Sequence, residues 1–286
     1  MTPKGIVIYD GPSLFDGQRI VVVITGFRRA SRNEKTGRML HSWIMVADKH
    51  PLEAQRSGDD KAVCNLCKHR VFRSCYVNLV HGPNHVWKAW KAGAYERKDC
   101  WDPALDSLVK GKHIRIGSYG DPSGVPLAVW SGLVRGAEGF TGYSHSWGSC
   151  NQNLKHFCMA SCETLAEVER AKAKGWRVFY ARQENEKLPK GFFMCPASVE
   201  AGKKTNCHNC NGCHGGEYEG KPNPSIIVHG SSWKKIFYER GMKLVKNHKK
   251  IRGVFWKVSD KVARCRTSIP TGLLPVFSGV DDVGKD

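Results

Sequence analysis

Four closely spaced cysteines limit this chain more than any other feature. Cys195, Cys207, Cys210 and Cys213 lie in GFFMCPASVEAGKKTNCHNCNGCHGG, between two short apolar runs at 192–194 and 225–228. Three of them follow a C-x2-C-x2-C spacing, which draws sulfurs around a cation, whereas disulfides between such close neighbours would be cramped. The stretch therefore reads as a metal loop over 195–213. Thiolates suit zinc, favoured here, or an iron–sulfur cluster. His208, His214 and His229 are each able to replace one thiolate.

A second possible metal site is Cys64, Cys67 and Cys75, in VCNLCKHRVFRSC. Its fourth partner stays open among His69, His81 and Cys100. Lys68, His69, Arg70 and Arg73 are interleaved with it and read as phosphate contacts. The chain carries twelve cysteines, and its N-terminus has no apolar leader, which points to metal or catalytic thiols in a reducing, cytoplasmic setting. No apolar run approaches the roughly 20 residues that span a bilayer, so no membrane partner is expected.

The elements alternate. Strand patterns at 6–9, 20–25 and 41–47 make an N-terminal hairpin region over 1–50, and PLEAQRSG starts a helix at Pro51. Further strand patterns fall at 76–80, 113–119, 140–144, 158–161, 176–181, 192–194 and 225–228. Between them HVWKAWKAG, VPLAVWSGLVRGA and TLAEVERAKAKG read as helices, the last with Thr164 as N-cap, Glu167 at the capping-box position and Gly175 as C-cap. Strands and helices in turn predict parallel βα units. The fold class is α/β, and one domain over 1–286 fits a (β/α)8-like barrel with the metal loop near its C-terminal strands. An open doubly wound α/β sheet is the alternative.

Formal net charge is +19. A field of that sign favours a polyanion, nucleic acid before an anionic membrane. Residues 234–266 hold twelve Lys/Arg against Glu239 and Asp260. With their interleaved aromatics they give a basic helical segment over 231–266, in which Lys234, Lys235, Lys249, Lys250 and Arg252 would track phosphates.

Active residues of α/β sheets gather at the C-terminal ends of strands. That rule selects Asp121, His145, Cys162, Glu163, Gln183, Glu184, Cys195 and His229, with Asp10 beside them. Asp121 sits in a Gly-Asp-Pro turn that fixes a carboxylate at the mouth, and it is equally suited to cap the following helix. With Glu184 it makes two carboxylates, a nucleophile and a general base. His145 is a catalytic candidate, and Tyr119 and Gln183 are positioned to hold a base.

YDGPSLFDGQRIVVVITG, VCNLCKHR, SCYVN, RIGSYGDPSGVP, GYSHSW and the CPAS, CHNCNGC and IIVHG segments resemble a family of phage-encoded proteins. In the order of its parts the chain is similar to the tRNA-guanine transglycosylase superfamily, and within it to the DNA 7-deazaguanine transglycosylases. The resemblance implies a cytoplasmic enzyme of the phage-infected bacterium that exchanges guanine in DNA for a 7-deazaguanine through a covalent glycosyl-enzyme intermediate. It implies DNA and a deazapurine as partners, one or two zinc ions, Asp121 and Glu184 as the acidic pair, and a structural metal at Cys195, Cys207, Cys210 and Cys213. The eleven residues between Cys195 and Cys207, and the group from Cys64 to Cys75, depart from the superfamily pattern. Two other readings stand beside it: a non-catalytic zinc protein that binds nucleic acid, and an iron–sulfur barrel enzyme of radical type with Cys64, Cys67 and Cys75 as cluster ligands.

Overall fold

Three runs of aliphatic and β-branched residues open the chain and pair in sequence. β1 (Gly5–Pro12), β2 (Arg19–Thr25) and β3 (Leu40–Val46) form an antiparallel meander. Every central residue of β2, from Ile20 to Ile24, is buried, which suits so uniformly branched a run. The computed structural model describes residues 2–29, 31, 33–216 and 222–247. Lys249, Lys250 and Arg252, and most of the second half of the basic segment, lie outside them.

Beyond β3 the sheet becomes parallel. A two-residue strand, β4 (Glu96–Arg97), flanks β1. Then β5 (His113–Tyr119) joins β3, followed by β6 (Gly139–Ser144), β7 (Met159–Cys162) and β8 (Val178–Arg182). β9 (Phe192–Met194) lies at the far edge, and β10 (Asn223–Ile227) inserts between it and β8. The order is β4-β1-β2-β3-β5-β6-β7-β8-β10-β9. The protein is therefore α/β with a ten-stranded, mostly parallel sheet. The sheet is open, as in the alternative reading, and the expected barrel does not close among the described residues. Its two edges are the shortest strands, too short to form a closing seam of hydrogen bonds.

Helices α1 (Pro51–Ser57), α2 (Lys61–Cys64) and α3 (Lys68–Val71) follow β3. α4 (Gly82–Lys91), α5 (Pro103–Val109), α6 (Leu127–Val134) and α7 (Leu165–Ala173) lie between later strands. α7 starts as its sequence dictates: the Thr164 side chain accepts the Glu167 N–H at 3.2 Å. The Glu167 carboxylate accepts the N–H of Glu163 at 3.0 Å, one residue earlier than a capping box predicts. A single turn, α8 (Cys207–Cys210), and α9 (Ser232–Asn247) complete the set.

The two faces of the sheet differ. One packs Ile114, Ile116, Val178 and Tyr180 against Val63, Trp130, Leu133 and Val168 in a single apolar core. The other presents Arg115, Tyr143, Ser161, Phe179 and Ala181 to a cavity. Alternation along each strand makes this division. Two expectations fail locally. Residues 76–80 are irregular: Tyr76 and Val80 are exposed, and the Asn78 side chain accepts the Val80 N–H at 3.0 Å, bending the chain. α5 forms where no helix is expected, capped by the Asp102 side chain on the Ala104 N–H at 2.8 Å, with Pro103 in the first turn.

Candidate functional site

The cavity occupies about 580 Å3. Its floor is the polar face of the sheet. One wall is the segment carrying Cys64, Cys67 and Cys75, and the opposite wall is the cysteine loop, with Cys195 and Cys207 among the lining residues. The first segment reaches this space through His69, Ser74 and Tyr76, and its cysteines do not line it.

The first group follows β3. Cys64 ends α2 and Cys67 precedes α3. Asn65 and Arg73 adopt left-handed φ values of 46° and 57°, tight turns that fold the segment back on itself. The Cys67 N–H donates to Cys64 O at 3.0 Å and the Cys75 N–H to His69 O at 3.1 Å. Arg70 staples the loop: Nε donates to Asp60 Oδ1 at 2.7 Å and Nη2 to Gly58 O at 2.8 Å. Burial raises the Cys64 thiol well above its usual range, and Cys67 and Cys75 raise it further. Cys75 is likewise raised by burial and then by Cys67. Cys67 thus raises both of its neighbours, a repulsion between ionised thiols that a cation would relieve.

Behind them lies a buried charge network. Glu163, directly after β7, is 3 % exposed. Its Oε2 accepts from Lys68 Nζ at 2.9 Å, and its Oε1 lies 3.1 Å from His145 Nδ1 and 4.0 Å from His69 Nε2. Lys68 also pairs with Glu167. Burial disfavours the charged Glu163 carboxylate, but Lys68 and His145 outweigh it and hold the pKa well below the usual range. Burial likewise opposes a charged His145, and Cys67 and Glu163 prevail, keeping it protonated well above 6.5. His69 is pushed down to about 4, by burial first. It stacks on Tyr238 of α9, ring centres 5.1 Å apart. The cavity therefore holds one charged and one neutral histidine side by side. Lys68 and Arg70, read as phosphate contacts, are engaged in internal ion pairs instead.

The second group is built on α8. The Asn206 side chain caps it on the Asn209 N–H at 3.0 Å, and Asn211 ends it with φ 43°. The turn is tied to the loop between β2 and β3: the Cys207 N–H donates to Lys35 O at 2.7 Å and the His208 N–H to Thr36 O at 3.2 Å. Burial pushes Cys213 up to about 12, with Cys195 and Cys207 adding to the rise while Tyr143 and Arg115 oppose it. Cys195 is raised by burial and then by Cys207 and Cys210. Neighbouring thiols thus add to the burial of two of the four, Cys195 and Cys213. Among the described residues, however, no three His, Cys, Asp or Glu side chains are gathered as the ligand set of a single ion.

The other expected residues fall elsewhere. Asp121 follows β5, but its carboxylate is saturated internally. Oδ1 accepts the Ser123 N–H at 3.0 Å and hydroxyl at 2.7 Å, and Oδ2 accepts the N–H groups of His145 at 2.7 Å and Ser146 at 3.2 Å. Asp121 is buried and does not line the cavity. Glu184 is exposed and away from it. Tyr119 is in the core beside Cys64, and the Gln183 N–H is bound to Glu186 Oε2 at 2.9 Å. Lys234 and Lys235 are half-buried on the first turn of α9. Asp10 pairs with Arg19 at 2.8 Å within the meander. Of the expected site residues, His69, His81, His145, His229, Cys195 and Cys207 line the cavity.

Sequence reasoning missed Arg115 and His41. Arg115 is 8 % exposed. Its guanidinium lies 4.2 Å from the Tyr143 ring centre, and Nη1 reaches Thr141 Oγ1 at 3.4 Å. The signal was present: Arg115 interrupts Ile114 and Ile116 in the one strand register that faces the cavity.

Comparison with family models, with curated proteins and with solved structures finds no match.

Proposed function

We propose that this protein is an iron–sulfur enzyme of radical type, with Cys64, Cys67 and Cys75 as the cluster ligands. The observation that carries the reading is the placement of these three mutually interacting thiols. They sit on the segment after β3, the first strand of the parallel run, and that segment gives His69, Ser74 and Tyr76 to the wall of a 580 Å3 cavity. A cluster held by three cysteines keeps one coordination position open, whereas a structural zinc is closed by four. A cluster bound there supplies one-electron chemistry.

The chain's own residues do the rest. His145, held protonated beside Glu163, offers a proton at the cavity wall. His69, held neutral, offers an acceptor. Aromatic side chains of Trp43, Tyr143 and Phe179 exclude water from the floor. The four thiols of the second group, if drawn together, would suit zinc or a second cluster and brace the opposite wall.

Metal and sulfide analysis of anaerobically purified protein, with its absorbance spectrum, tests the reading. Iron with acid-labile sulfide and a broad visible band, lost on Cys64→Ala, Cys67→Ala or Cys75→Ala, is expected. Zinc with no visible band, or a band indifferent to those three substitutions, refutes it.

The second reading is exchange of guanine for a 7-deazaguanine in DNA. The position of Asp121 after parallel strand β5 favours it. Asp121 would have to trade its internal donors for C1′ of a nucleotide, and loss of guanine incorporation in Asp121→Ala, with DNA affinity kept, is its test.

A further inference from the structure

A second cavity of about 540 Å3 adjoins the first and shares Ser31, His41 and Trp43 with it. Its outer wall carries Lys4, Arg28, Arg29 and His85. Among the described residues no Asp or Glu lines either cavity. Basic walls without acids focus a positive potential inward. Trp43 stands at the junction, held rigidly. Its indole N–H donates to Thr25 Oγ1 at 2.8 Å, and its ring lies along His41 with centres 5.7 Å apart. Gly82 backs the same ring so closely that a Cβ there would sit 2.7 Å from it. Deeper in, Arg115 is nine-tenths buried with no carboxylate partner among the described residues; the Tyr143 side chain, the Thr141 hydroxyl, Tyr76 and the Cys207 thiol surround it.

We propose that the two cavities form one tract for a single nucleic-acid strand. Backbone phosphates lie along Lys4, Arg28 and Arg29, and one nucleotide turns inward past the Trp43 ring. The acceptor atoms of its base meet the guanidinium fork of Arg115. Each part matches a known need. Phosphates want unpaired exposed cations. An unstacked base wants an aromatic face and a buried donor pair. The inference names the substrate class of the enzyme proposed above and rests on that reading only for why a nucleotide would be drawn inside. It is measured as binding, with no turnover required, so either can fail alone.

The test uses the full chain as purified and a fluorescein-labelled 12-nucleotide single strand, titrated across salt concentrations. Replacing Arg28 and Arg29 by Gln together should flatten the slope of log affinity against log salt by about 1.4, two phosphate contacts at roughly 0.7 each. Lys110→Gln with Lys112→Gln, exposed and lining neither cavity, controls for overall charge and should leave the slope nearly unchanged. Arg115→Met should weaken binding at least about fivefold without altering the slope, since it removes a base contact. A strand with one abasic site should not recover that loss. A free nucleoside monophosphate distinguishes a small-molecule site from a strand. Binding of the monophosphate alone overturns the tract, as does an equal effect of the Lys110 and Lys112 pair. Unchanged affinity in Arg115→Met overturns the inner contact. A fall in metal content with unchanged affinity in that variant would assign Arg115 to the neighbouring thiolates instead.

Discussion

Glu163→Gln isolates the buried charge network beneath the cavity. The substitution keeps the shape of the side chain and removes its charge. The carboxylate is 3 % exposed, accepts from Lys68 at 2.9 Å and faces the protonated His145 at 3.1 Å. At an effective dielectric of about 20, each of those pairs is worth roughly 5–6 kcal/mol of attraction. Desolvation of each ion costs several kcal/mol in return. Gln leaves Lys68 with Glu167 and leaves His145 without its counter-charge. Breaking such a buried pair from one side typically costs about 3–5 kcal/mol, which for a chain of this size lowers Tm by roughly 6–20 °C. Scanning calorimetry of the purified protein measures it. Lys68→Met and the double variant complete a cycle, in which the coupling between the two sites should exceed about 1 kcal/mol. A Tm shift under about 2 °C, or a coupling near zero, would refute the network as a structural unit.

Two further outcomes follow from neighbouring residues. His41 is pushed down to about 4 from its ordinary 6.5, by burial first and by Arg115 second. The unfolded chain takes up that proton below pH 6.5 and the folded one only near 4, so stability present at neutral pH is lost as pH falls through this window, by about 3 kcal/mol in all. Urea midpoints of His41→Gln between pH 7 and 4.5 should fall less steeply than those of the unaltered chain, and parallel curves would exclude His41 as the source. Gly120 has φ +85° and a Cβ there would lie 2.6 Å from Ile44 Cβ. Gly120→Ala should cost about 2 kcal/mol or more, and Gly93→Ala, at φ +70° with open space around it, only about 1. Equal losses at the two positions would show that packing at Ile44 does not matter.

Much of the local architecture was legible in the residues themselves. Thr164 and Gly175 bound α7 because capping is decided within one turn of chain. The uniform Ile20–Val23 run becomes a buried strand because nothing polar interrupts it. Closure of the sheet was not legible, because it depends on whether two distant edges can meet: 192–194 reads as a short strand, but nothing local places it at an edge, and β4 went unread. The strand pattern at 76–80 misled for a related reason: Tyr76 and Val80 have strand propensity, but no sheet edge lies beside them and Asn78 turns the chain first. At the site, the segments that carry the two cysteine groups both border the cavity, and of the cysteines Cys195 and Cys207 line it. The position of Asp121 after β5 was read correctly, but its saturation by Ser123, His145 and Ser146 could not be foreseen, since two of those donors lie just past β6, 24 and 25 residues away. Arg115 went unread because a cation inside an apolar strand looks like an interruption until its register faces a cavity.

The tie between α8 and the β2–β3 loop has an evolutionary corollary. Both of its hydrogen bonds run from backbone N–H groups of Cys207 and His208 to backbone oxygens of Lys35 and Thr36. Main-chain atoms are blind to side-chain identity, so drift at 35 and 36 leaves the tie intact, and at 208 only proline, which lacks the N–H, severs it. The rim above the cavity is thus free to diversify its chemistry while its position stays fixed. A surface of that kind can change what it recognises without rebuilding the wall that carries it.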